Sequence, residues 1–227
     1  MEPNLDPPEK RPVFVPYGTA GPVGPHLEAV RQWLADFVLQ PHPLLLRDGP
    51  VCPFVGPAIR QGTLLLSERW LGRPVTEQLA TTELLDCVRS SQELAWAGPN
   101  RRLHATIVLF PELTDPESAL LHHAHNAMKE DLLRQDVMMS PFHPECADHA
   151  ARNTAFRTFR SPVPMVAIRR LAFHDIIFLY QEKDRFLHYA RRFGERYRQP
   201  AALDPFLVER YRWAVERHGD PGRAAKD

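Results

Sequence analysis

Three short stretches of the chain each join rigid prolines to one chemically capable side chain: Cys52-Pro53-Phe54, Ser140-Pro141-Phe142-His143-Pro144-Glu145, and Arg160-Ser161-Pro162-Val163-Pro164. A cysteine held in a proline-bounded turn can offer its thiolate to a metal, or to haem iron as an axial ligand. A histidine fixed between Phe and Pro can act as ligand, distal hydrogen-bond donor or general base. An arginine in such a turn presents a planar fork that matches a carboxylate. Core packing alone does not require this combination. The plain alternatives are a small buried hydrophobe for Cys52, a carbonyl-capped ring for His143 and a surface ion pair for Arg160.

Other residues compete for the same chemistry. His143, Cys146 and His149 follow one another at three-residue steps and would share a face if helical, a set that zinc accepts. Pro144 disfavours a helix at His143, and no Cys-x-x-Cys stands elsewhere. His122, His123 and His125 fall on one expected helix. Only His122 and His125 occupy neighbouring turns, which reads as a solvated or helix-contact face, with a ligand role as the alternative. Arg157 can share the role of Arg160. Arg169 faces inward and Arg170 outward if their segment is a strand. Asn153 and Thr154 are candidate polar pocket residues. Ser140 lacks a Gly-x-Ser-x-Gly context, and Gly18–Gly24 lacks the preceding strand of a phosphate loop.

These loops need elements to hold them. Residues 1–25 carry seven prolines and read as an irregular arm, laid across the domain through Val13, Phe14 and Tyr17. Leu27, Val30, Trp33, Leu34, Phe37 and Val38 repeat at helical spacing over 26–40. Residues 41–61 read as a proline-broken loop holding Cys52. Strands are expected at 63–67, 103–110, 137–140 and 163–171, and helices at 76–94, 115–135, 183–197 and 205–218. Residues 148–159 are open between short helix and ordered loop, and 175–180 between strand and helix. The alternation predicts an α/β (α+β) sandwich: a mixed sheet of four or five strands with helices packed on it. Residues 26–218 form its single domain and 219–227 a loose tail. Sites in such sheets sit at strand ends, where the loaded loops lie.

The bulk composition narrows the function classes. Lys plus Arg and Asp plus Glu both number 28, so the net charge is zero and a nucleic-acid-coating protein is disfavoured. No apolar run approaches the roughly 20 residues that span a bilayer. The N-terminus lacks the basic-then-apolar order of a signal peptide, so a cytoplasmic location is expected. Three cysteines, Cys52, Cys87 and Cys146, then read as buried, catalytic or metal-bound rather than disulfide-paired.

The ordered motifs resemble a family of bacterial domains of unknown function that share the Cys-Pro-Phe, Phe-His-Pro and Arg-Ser-Pro-x-Pro order, over residues 45–180. They are more distantly similar to the YqcI/YcgG-like family, some of whose members are haem proteins that oxidise amino-acid nitrogen. That second resemblance implies a haem b pocket with Cys52 and His143 as candidate ligands. It also implies Arg160 as a propionate or substrate anchor; Arg169, close to a predicted strand end, adds a second cationic group for cofactor or substrate, and Phe54, Phe142 and Phe156 would wall the pocket. The Cys-Pro order here is reversed from the Pro-Cys of the haem group. The expected function is a haem-dependent oxygenase, a monooxygenase-type oxidoreductase acting on a small amine or amino acid in a biosynthetic pathway. It would work alone or as a homodimer, with no membrane or nucleic-acid partner. Two rivals stand beside it: a non-haem, zinc-type enzyme using His143, Glu145 and a thiol, and a non-catalytic binding or accessory protein.

Overall fold

The computed structural model describes residues 13–20 and 23–219. Their elements, in chain order, are β1 (Val15–Pro16), α1 (Pro25–Trp33), α2 (Val55–Arg60), β2 (Leu64–Glu68), α3 (Glu77–Glu93), β3 (Ala105–Leu109), α4 (Asp115–Arg134), β4 (Val137–Phe142), β5 (Met165–Arg170), α5 (Ile176–Leu179), α6 (Lys183–Phe193) and α7 (Pro205–His218). A π-helical turn, Leu34–Val38, continues α1, so the apolar stripe over 26–40 is one wall as the spacing predicts. The expected α/β class holds: a mixed five-stranded sheet in the order β1-β2-β3-β5-β4, with helices.

β2 and β3 are parallel, with Leu64 opposite Ala105 and Glu68 opposite Leu109. β1 adds antiparallel to β2. The Phe110 N–H donates to Pro164 O at 2.8 Å, so the end of β3 meets the start of β5. The Leu171 N–H donates to Asp136 O at 2.8 Å, so the end of β5 meets the start of β4. β4 therefore runs with β2 and β3, and the three share a carboxyl edge. Pro141 lies within β4, an edge strand, where a residue without an N–H costs no ladder bond.

Several expectations are corrected. Val55–Arg60 is a helix within what reads as loop, because Pro57 falls in its first turn, where backbone donors are free in any case. The two segments left open are decided, not corrected: residues 148–159 are an ordered loop of turns around an Ala150–Asn153 bridge, and Ile176–Leu179 is a helical turn. Of the arm, Val15–Pro16 joins the sheet and Tyr17 packs on the core, but Val13 is 78% exposed. Most of the arm and the tail beyond Gly219 lie outside the described residues.

Two compact units divide the chain. The first runs to Asn126 and includes Ser140–Ile168. Its core lies where Val30, Leu34 and Val38 meet Leu64, Leu66, Ile107, Leu109 and Met165. The second comprises Ala127–Met139 and the chain from Arg169, with Phe173, Ile176, Phe186, Tyr189 and Phe193 buried together. In it the Tyr189 hydroxyl donates to Phe173 O at 2.6 Å, so the largest buried aromatic is also hydrogen-bonded.

Candidate functional site

His143 follows the carboxyl end of β4 directly, the place where α/β sheets carry their sites. A tight turn comes next. The Cys146 N–H donates to His143 O at 3.2 Å, and the Ser161 N–H donates to the same carbonyl at 3.4 Å. The returning strand is set by Ser161 Oγ donating to Val163 O at 2.7 Å. The long loop between is pinned where the Ala150 N–H donates to Phe156 O and Asn153 Nδ2 donates to Leu44 O. Phe156 stacks on His42 at 4.2 Å between ring centroids. The loop is thus built from hydrogen bonds and aromatic packing, and its ligand-type side chains keep fixed directions.

The third participant comes from α4. Thr114 starts this helix: its N–H and hydroxyl both donate to Glu117 at 2.9 and 2.8 Å, which lowers the Glu117 pKa. Asp115 and Pro116 occupy the first turn. The buried stripe of Leu121, Ala124 and Met128 fixes the rotation of α4 and leaves His122 on its margin, 22% exposed.

His122, His143 and Cys146 converge, with one ligand atom from each lying within 4.8 Å of the others. His122 Nε2 is 3.8 Å from Cys146 Sγ, and the two imidazole rings stand 5.2 Å apart at 81°. Nitrogen and sulfur bound tetrahedrally to one zinc ion, at about 2.0 and 2.3 Å, are separated by roughly 3.5 Å. His122 Nδ1 lies 3.9 Å from the Asp148 carboxylate, so the ring that offers Nε2 to the cluster turns its other nitrogen towards an acid. His143 Nδ1 is buried without a hydrogen-bond partner. Such an atom normally carries a cost, which an ion would remove.

Burial sets the protonation states. It lowers the pKa of His143 against the pull of Asp115, Asp148 and Glu145, and lowers that of His122 against Asp148. Burial also raises the Cys146 thiol. The rings are therefore neutral at physiological pH, the form in which an imidazole can ligate, and a metal would have to displace the thiol proton. Histidines held neutral lower stability as pH falls below the ordinary value of 6.5, because the unfolded chain takes up those protons first. The metal-stripped protein should lose thermal stability from pH 7 to pH 5, and His143→Asn should flatten that slope. Parallel slopes for the two proteins would contradict the assignment.

The remaining sequence candidates fall out as follows. Cys52 is not in the cluster; it packs with Phe142 against the apolar core of the first unit, its N–H donating to Val38 O. Phe54 precedes α2, and Phe142 lies 6.0 Å from Trp33 and 5.2 Å from Phe159. His149, the third member of the spacing-based zinc set, is exposed with Nδ1 beside Ala150 O, because its segment is turns and not helix. Arg160 lies by the site, its Nε donating to Cys146 O at 3.4 Å and one Nη 3.6 Å from Glu145. Arg157 donates to Thr154 O. Arg169 belongs to the second unit, where its fork grips Asp175.

A family described as a domain of unknown function, DUF6875, matches residues 27–204, and the chain belongs to that family. No curated protein and no solved structure matches the chain at a significant level. Among the described residues, no helix is long and apolar enough to cross a membrane.

Proposed function

We propose that this DUF6875 member is a metal-dependent enzyme in which His122, His143 and Cys146 hold one divalent transition-metal ion, zinc being the best match to two imidazoles and a thiolate. The observation that carries this reading is the convergence of three ligand atoms within 4.8 Å, one of the rings having an unpartnered buried nitrogen. Three protein ligands leave a coordination position for water or substrate, as in catalytic zinc sites, and the ion would supply Lewis acidity and an acidified water. The chain's own residues do the rest. Asp148, 3.9 Å from His122 Nδ1, supplies a negative charge on the side of the ring away from the cluster. Glu145 stands exposed between two ligands in sequence, where it can carry protons to and from solvent. The reaction class is metal-assisted addition of water to a small molecule.

The haem b reading, carried by the resemblance to YqcI/YcgG-like proteins, competes for the same imidazole, since His143 cannot ligate both ions. Elemental analysis and a visible spectrum of the purified protein separate the two. About one zinc per chain in a colourless protein, lost to a chelator and regained on adding zinc, is the expected result. Stoichiometric iron with a Soret band would replace this reading with the oxygenase. Neither metal, with no uptake of either from solution, would favour the non-catalytic accessory protein.

A further inference from the structure

The metal centre has a charged neighbour that none of its ligands needs. Arg160 is tied to the site by its own Nε, which donates to the carbonyl of the ligand Cys146 at 3.4 Å. Its terminal nitrogens make no hydrogen bond among the described residues. Glu145 stands opposite at 3.6 Å, within ion-pair range but beyond hydrogen-bond reach. Both side chains face solvent, Arg160 at 50% and Glu145 at 66% exposed. Exposed pairs of this kind contribute at most about 1 kcal/mol, so parting them costs little. An incoming carboxylate can instead take both Nη groups in a bidentate grip, the stronger geometry. The charge balance agrees: a divalent ion with one thiolate leaves one net positive charge beside a guanidinium, while the nearby Asp148 is turned to His122.

Resting on the metal reading, we propose that the substrate is a small carboxylate, which binds Arg160 in place of Glu145 and so frees Glu145 beside the metal position. An uncharged molecule leaves the Arg160–Glu145 pair closed. The site is thereby selective for anions.

Cobalt(II) in place of zinc gives visible bands that report on the surroundings of the ion. The full chain loaded with cobalt is titrated with acetate, and with acetamide as its uncharged counterpart, at constant ionic strength. Acetate should shift the bands saturably and acetamide should not. Arg160→Gln should need roughly tenfold more acetate, the loss expected for hydrogen bonds to a charged group. Glu145→Gln should need about threefold less, because the internal competitor is gone. Intact cobalt bands show that each variant is folded. An Arg160→Gln titration matching the wild type, or an equal response to acetamide, overturns the carboxylate assignment and leaves the metal centre standing. A wild-type protein that takes up no cobalt overturns the metal reading, and this inference with it.

Discussion

His143→Ala lowers the zinc affinity of the full chain by roughly a thousandfold, more than the ~10–100-fold that loss of an outer-shell partner costs. In the proposed centre the ring is one of three ligands, and its Nδ1 is buried without another partner, so nothing on the protein would take its place. Cys146→Ala has a comparable effect, because the remaining neutral imidazoles carry no charge to balance the ion. Competition with a chromophoric chelator measures both. His149→Ala is the control: that ring is exposed and outside the cluster, and its affinity stays within about threefold. Thermal unfolding gives an independent reading. Zinc at a hundred times its dissociation constant raises wild-type stability by about 2.7 kcal/mol and leaves the His143→Ala protein where it was. Equal zinc stabilisation of the two proteins would show that the ion sits elsewhere.

What the sequence disclosed about this site follows from which contacts are local. The Phe-His-Pro turn and Cys146 are legible because both proposed ligands lie in one proline-bounded stretch at the end of a short apolar strand. The third proposed ligand was not, because helical spacing within that stretch points to His149, while Pro144 and the turns after it break the helix on which that spacing depends. His122 joins the site only through the packing of α4, and its local signal is weak: a histidine beside the buried Leu121 and Ala124. Cys52 shows the opposite case. Its proline neighbours give it the look of a ligand, yet a half-buried thiol against aliphatic side chains is also what a small hydrophobe provides, and only the fold decides. For the fold itself, β2 to β5 were legible, β3 from its β-branched alternation, and the long helices from apolar spacing, whereas β1 was hidden in the proline-rich arm. The short helix Val55–Arg60 was not, because prolines mark helix starts and loops alike.

The largest stability effect is expected in the second unit, from a residue whose charge near a strand end makes it a candidate cofactor contact. Arg169 donates through Nη1 and Nη2 to the two carboxylate oxygens of Asp175 at 2.8 and 2.5 Å, and Asp175 is 1% exposed. The Ala172 N–H donates to the same carboxylate at 2.7 Å, so Asp175 ties the end of β5 to the turn that opens α5. Arg169→Met leaves a buried carboxylate with one neutral donor, and breaking such a pair costs ~3–5 kcal/mol. Asp175→Asn costs less, because Arg169 is 20% exposed and can turn to water. The double variant Arg169→Met/Asp175→Asn is more stable than Arg169→Met alone, since the uncompensated charge is gone and the amide still accepts from Ala172. Urea unfolding midpoints at unchanged slope measure the three. An Arg169→Met loss below about 1 kcal/mol would mean that the pair behaves like a surface contact. A residue that contacts a cofactor would show itself differently, by weakened binding in a protein of undiminished stability. The fork on Asp175 predicts the reverse: lowered stability, with zinc affinity held within about threefold.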